Sequence, residues 1–267
     1  MISSSDTRWG TVNKSIIENK LKSITSKIYL NTSDSKETLD RNKSFLKGGT
    51  MTAIWNDVVN YIKIEECTEN KNGWWNTVML ESNGKRLAII TLHRIVDANT
   101  ASVNSCKAQY ERKCGKIKRA KEIRAEMLKE LKQEIREMNA TDVVVAGDFN
   151  EDVNAKNIQE FVVEMGLYEV FGEVHEVDEN DRDGTFECGT KCIDYVLVSE
   201  GMLNVVEGIE LIECNEIVDS DHRGYLTDLN LEMHFEEDFN KEQEIEQRLL
   251  NPNKRTHRFF LKCVKNY

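Results

Sequence analysis

The 267-residue sequence has a single proline, Pro252, and its longest apolar runs reach only about six residues. A helix that spans a bilayer takes about 20 apolar residues, so no membrane-spanning helix is expected. The seven cysteines are scattered without a paired framework, and no charged, apolar and small-residue signal segment opens the chain. That pattern fits a reducing intracellular compartment, nuclear or cytoplasmic, better than secretion. Cys188 and Cys192 flank a Gly-Thr turn, but no second Cys/His pair follows at zinc-finger spacing. Basic charge is also in deficit, since 36 Lys and Arg against 47 Asp and Glu give a net charge of −11. This is the wrong sign for holding nucleic acid by bulk electrostatics, so any basic surface must be local.

What is present begins with a hydrophobic content of 39%, enough at this length for a full core in one domain. Apolar spacing predicts a helix over 13–26 and a short strand over 27–30, followed by a polar loop over 33–44. Gly48-Gly49 precedes a strand over 50–56, and strands over 74–80 and 86–92 read as a hairpin closed by Ser82-Asn83-Gly84. A long charged helix is expected over 108–138, with Ile117, Ile123, Met127, Leu128, Leu131 and Ile135 on one side. The run 142–146 reads as a buried strand and 155–165 as a short helix. Turns and strands then alternate through 184–186, 193–198, 205–213 and 225–232. Several strands, few helices and no repeat favour a layered α/β sandwich over a bundle or solenoid. The domain is placed at 1–235, and the segment 236–267 reads as a charged tail or linker.

Two short motifs carry the chemistry. Gly147-Asp148-Phe149-Asn150 ends the apolar run 143–146, and Ser220-Asp221-His222-Arg223 follows roughly seventy residues later beside another predicted strand. Cleavage of a phosphodiester needs a divalent ion to neutralise phosphoryl oxygens, a base for water and oriented donors for the phosphate. Carboxylate oxygens suit Mg²⁺ or Mn²⁺. Asp148 and Asn150 lie two apart, so in a strand both would face the same side. Asp221 precedes His222, which suits acid-base work and which a carboxylate such as Asp194 can orient.

The ordered set Gly147-Asp148-Phe149-Asn150, Thr185, Ile193-Asp194-Tyr195 and Ser220-Asp221-His222-Arg223 resembles the endonuclease/exonuclease/phosphatase superfamily. Lys47-Gly48-Gly49-Thr50, Gly73-Trp74-Trp75, His93-Arg94 and Ala108-Gln109 resemble, more narrowly, the endonuclease domains of non-LTR retrotransposon polyproteins. The likeness runs from about residue 6 to residue 233. It implies a four-layered, deoxyribonuclease-like α/β sandwich and a Mg²⁺-dependent endonuclease, with DNA as partner and a reverse transcriptase domain in a longer polyprotein. It also implies roles. Asp148 orients or deprotonates the attacking water, Asn150 donates to the phosphate, and Asp221 binds the metal. His222 binds the phosphate and stabilises developing charge, and Asp194 holds that histidine. Arg94 stands where the family places an arginine beside the substrate, and His93 replaces the usual Tyr at a phosphate-contacting position. Gln109 and Thr185 are supporting residues or serve in a helix cap or turn.

The family's first strand ends in an Asn and its second in a metal-binding Glu, and neither is found before Trp9. Two sandwich strands are therefore expected to be missing. Ser4 stands near the place of the Glu, and Asp6 is the nearby acid. That departure implies a weakened Mg²⁺ site, and with it either a poor nicking enzyme from a truncated copy or a remnant that keeps its phosphate-binding groups without turnover. A small-molecule phosphodiesterase or phosphatase of the same superfamily is the competing enzyme reading. Residues 107–136 hold eleven Lys/Arg against five Glu, and 254–267 hold five more basic residues and no acid. Such a stretch reads either as a solvated helix face or as a local DNA-facing surface. Trp74 and Trp75 read as core rings, or as including one base-stacking ring.

Overall fold

The computed structural model describes residues 1–5, 18–22, 25, 27–34, 48–96, 105–177, 182–187, 189–214, 220–236 and 259–261. Asp6, Lys47, Cys188 and most of the expected helix 13–26 and loop 33–44 lie outside these residues, as does the basic tail apart from 259–261.

A six-stranded sheet forms the centre. Its strands are β4 (Thr68–Glu69), β5 (Trp75–Ser82), β6 (Lys85–His93), β7 (Asp142–Asp148), β8 (Leu167–Glu169) and β9 (Asp194–Ser199), in the spatial order β4-β5-β6-β7-β9-β8. The predicted hairpin joins β5 to β6, pairing Ser82 with Lys85 across Asn83 and Gly84. Both turn residues have positive φ, 50° and 75°, as the tight turn between right-twisted strands requires. β6 and β7 run parallel, and β7 and β9 run antiparallel.

Side-chain alternation along these strands separates two cores. Val143 and Val145 of β7, with Ala88, Ile90 and Leu92 of β6, face a helical layer. Val144 and Ala146, with Leu87 and Ile89, face the opposite way into the sandwich. The helical layer comprises α1 (Cys106–Cys114), α2 (Ala120–Glu137) and α3 (Lys156–Met165). On the other side lie two three-stranded sheets. One has the order β1-β3-β2, from β1 (Ile2–Ser5), β2 (Ile28–Ser33) and β3 (Thr50–Trp55). The second has the order β10-β11-β12, from β10 (Val206–Ile212), β11 (Gly224–Leu229) and β12 (Phe259–Leu261). Leu21, in the helical turns 18–22, packs on Leu30, Met51 and Ala53 and supplies the outer helical layer. Helix, sheet, sheet and helix make the four-layered α/β sandwich.

Several local expectations are corrected. The helix expected over 108–138 is two helices, because Gly115 takes φ 63° at the end of α1 and breaks the run. Ile117, expected on the apolar side, lies in that break and is 93% exposed, whereas Ile123, Met127, Leu128, Leu131 and Ile135 are buried. The expected strand 184–186 is a single bridge between Phe186 and His222. The strand expected over 225–232 ends at Leu229, where the Asn230 side chain accepts from the Met233 amide at 2.8 Å and starts α4 (Leu231–Phe235). β1 forms ahead of Trp9 and ends in serine, with Ser4 buried and paired to Met51. Within the segment assigned to the tail, β12 pairs with β11.

Candidate active site

The ends of β6, β7 and β9 carry the chemistry. Strand pairing sets His93 opposite Asp148 and Asp148 opposite Asp194, so three adjacent strands bring these residues to one level. Alternation from Ile89, Ala146 and Val196 puts all three on the face that looks into the sandwich. They are buried, with His93 Nε2 at 3.9 Å from Asp148 Oδ2. Two carboxyl groups directly opposite each other across a ladder repel as carboxylates, and burial strengthens the repulsion. That arrangement needs compensating donors or a cation.

Some donors come from the chain itself. Asn150 has φ 50°, a left-handed conformation that asparagine tolerates. In that turn its amide N–H donates to Asp148 Oδ1 at 2.7 Å, and its Nδ2 donates to Asp148 Oδ2 at 2.8 Å. The expectation that a strand aligns Asp148 with Asn150 is thus corrected: β7 ends at Asp148, and an Asx-type turn folds Asn150 back onto it. His222 donates from Nδ1 to Asp194 Oδ2 at 2.7 Å. Its ring also rests against Phe186, with centroids 5.1 Å apart. Thr185 Oγ1 accepts from the Ile193 and Asp194 amides at 3.0 Å each, which fixes the start of β9 and makes Thr185 a turn anchor. Asp194 Oδ1 is buried without a hydrogen-bond partner among the described residues, and so is Asp221 Oδ1.

A Cβ at Gly147 would stand 1.9 Å from the Leu92 carbonyl oxygen, so only glycine lets β7 approach β6 here. Phe149 stacks on Tyr195 with centroids 4.1 Å apart and plugs the helix-side core below the turn.

Asp148, Asp194 and His222 each offer a ligand atom, and these atoms lie within 4.8 Å of one another. Two carboxylates and an imidazole, with two orphaned carboxylate oxygens nearby, suit a divalent metal. Asp221, the expected ligand, is outside this triplet. Arg94, expected beside the substrate, is instead enclosed at 1% exposure with its guanidinium on Glu151. The reason is again period two, since neighbours on an extended segment point to opposite faces and His93 takes the inner one. Glu151 and Arg124, which sequence reading passed over, complete that helix-side cluster.

Trp74 and Trp75 are both buried in the helix-side core, against Tyr110 and Glu134 respectively, so neither ring is open to a base. Many charges of the basic stretch are paired with acids, including Lys107 with Glu111, Lys118 with Glu126 and Lys132 with Glu164. Gln109 is buried in α1. No helix among the described residues is long and apolar enough to cross a membrane.

No protein-family profile and no curated protein matches the sequence. Solved structures do match the fold. An AP endonuclease from Archaeoglobus fulgidus superposes with a TM-score of 0.55 at 11% identity, over 85% of this chain and 88% of that one. The AP endonuclease LMAP from Leishmania major gives 0.53 at 12% identity, over 85% and 78%. An endonuclease/exonuclease/phosphatase family protein from Leptotrichia buccalis gives 0.52 at 13% identity, over 85% and 86%. The chain therefore has the endonuclease/exonuclease/phosphatase fold.

Proposed function

We propose that this chain is a Mg²⁺-dependent phosphodiesterase that nicks DNA, of the kind found as the endonuclease domain of non-LTR retroelements. The observation that carries the reading is the register-matched pair Asp148 and Asp194, with His222 bonded to the second and Asn150 to the first. The AP endonucleases that share the fold support DNA as the substrate. The Gly48-Gly49-Thr50 and Gly73-Trp74-Trp75 landmarks favour a retroelement endonuclease over a small-molecule phosphatase.

Asp148 and Asp194 are the oxygen donors that would hold the ion, which prefers one or two carboxylates and several waters. When bound, Mg²⁺ supplies positive charge against the phosphoryl oxygens. The remaining work falls to side chains. Asp148, steadied by two donors from Asn150, accepts the proton of the attacking water. Because Asp194 accepts from Nδ1, His222 is held in one orientation, and as the imidazolium it would donate from Nε2–H to the phosphate. His93, 3.9 Å from Asp148, stands at the phosphate-contacting position.

A second reading rests on β1. That strand brings Ser3 and no acid to the inner face, which fits a remnant that binds phosphate without turnover. Nicking of supercoiled plasmid separates the two. The expected result is relaxation that needs Mg²⁺ or Mn²⁺, stops in EDTA and is lost in Asp148→Ala. DNA binding without relaxation at any metal concentration would favour the remnant, and nicking in EDTA would remove the metal from the account. Hydrolysis of bis(p-nitrophenyl) phosphate with no action on DNA would point to a small-molecule phosphodiesterase.

A further inference from the structure

Behind the Asp148–Asn150 turn, on the helix side, lie three charged groups that the proposed reaction does not use. Arg94 and Arg124 are only 1% and 4% exposed, and Glu151 lies between them. Arg124 sits on α2 beside Ile123 and near Met127 and Leu128, positions that an apolar side chain would fill without the cost of burying a charge. Buried ion pairs of this kind are weak sources of stability, so their presence asks for another reason.

The contacts supply one. Arg124 donates from Nη1 to the Ile95 carbonyl at 2.5 Å and from Nη2 to the Asn150 carbonyl at 3.0 Å. One guanidinium thus ties together the segments that leave β6 after His93 and β7 after Asp148. Glu151 Oε2 accepts from Arg124 at 2.8 Å, from Asn157 Nδ2 at 2.7 Å and from Arg94. Asn150 Nδ2 closes the circuit by donating to the Arg94 carbonyl at 2.7 Å. Burial pushes the Glu151 carboxyl up, but Asn157, Arg94 and Arg124 outweigh it and hold that group at about 2. One carboxylate against two guanidiniums leaves net positive charge behind the paired aspartates.

We infer that Arg124 and Glu151 are positioning residues, which hold Asn150 in its left-handed turn and thereby orient the Asp148 carboxyl that Asn150 bonds. The kinetic consequence rests on the phosphodiesterase reading, whereas the geometric one does not. Hydrogen exchange and kinetics on Arg124→Met, Arg124→Lys and Glu151→Gln test it together. Lysine keeps the charge but lacks the planar fork that reaches two carbonyls and a carboxylate. In Arg124→Met, faster exchange is expected at the Arg94, Phe149 and Asn150 amides, with protection of β5, β7 and β9 unchanged. Misplacement by about 1 Å costs on the order of 10²-fold, so kcat for nicking should fall about 100-fold in Arg124→Met and about tenfold in Arg124→Lys, with KM within about twofold. Glu151→Gln keeps the packing volume and should show the same local exchange even if Arg124→Met fails to fold. Exchange that rises uniformly across the sheet, or stays unchanged at those amides in Glu151→Gln, overturns the inference. If the unaltered chain does not nick DNA, the functional reading fails, and the exchange data still decide the positioning role.

Discussion

Along the six-stranded sheet, the inner-face residues at the ends of β6, β7 and β9 are His93, Asp148 and Asp194, while the facing sheet offers Ser3, Thr50 and Thr52. The facing hydroxyls are already engaged. Thr52 Oγ1 donates to Asn76 Oδ1 at 2.7 Å and meets Thr91 Oγ1 at 2.5 Å, Asn76 Nδ2 donates to Thr50 Oγ1 at 2.9 Å, and Ser3 bonds to Thr91. Thr91 lies two residues before His93 on the same strand face, so a single step along β6 separates the hydroxyl layer from the acidic one. One wall therefore locates the sheets through satisfied polar contacts, and the other concentrates charge that its neighbours only partly offset. On the charged wall the Asp194 Oδ1 atom is left over, and the proposed function uses that wall.

The largest effect should come from the charged wall. Asp148→Ala is expected to lower the plasmid-nicking rate by about 10³-fold, the range for loss of a positioned base, with Ser3→Ala on the other wall within about threefold. Equal losses at both positions would erase the difference between the walls. Next, Asp194→Asn should cost about 10²-fold, and His222→Ala added to it should cost little more, because residues that act as a unit are not additive. Full additivity in nicking assays would mean that the 2.7 Å bond does not couple them.

On the hydroxyl wall the change should appear in stability. Thr91→Val leaves the Ser3 and Thr52 hydroxyls short of a buried partner, a loss of about 1–3 kcal/mol in urea denaturation with nicking nearly unchanged. A nicking loss as large as that of Asp194→Asn would extend the site across both sheets.

The smallest effect concerns His234, which is near Asp142 at the start of β7, the end of the strand opposite Asp148. Burial lowers its pKa from 6.5, Asp142 counteracts that, and Lys85 reinforces it. The folded state then binds the proton less readily than the unfolded chain. Its contribution to stability is present above 6.5 and is lost as pH falls from there through the lower folded value. Thermal melting should show a modest drop from pH 7 to pH 5 that His234→Gln reduces; an unchanged drop would assign it to other groups.

Much of the central sheet was legible because its signals are local. The hairpin carries Asn83-Gly84, and β7 carries the apolar run 143–146 followed by a glycine which nothing larger could replace. Among the residues that carried the resemblance, Asp148, Asp194 and His222 have ligand atoms within 4.8 Å of one another. Arg94 was misplaced for a reason that was itself legible. Resemblance set it beside the substrate, whereas alternation from His93 turns it toward the helices. The Asn150 turn was not legible, because a left-handed asparagine held by the Arg94 carbonyl and by Arg124 depends on residues far away in sequence. Gly115 inside a long helical pattern gave a signal that the apolar spacing concealed, and Ile117 was assigned to the core as a result.

On this reading the charged wall holds a divalent ion through its paired aspartates. Electron paramagnetic resonance of Mn²⁺ titrated into the chain tests this without reference to any substrate. Saturable binding of an ion is predicted, weakened by at least about tenfold in both Asp148→Asn and Asp194→Asn and unaffected by Ser3→Ala. Binding that is absent from the unaltered chain, or equally tight in all three variants, would contradict it.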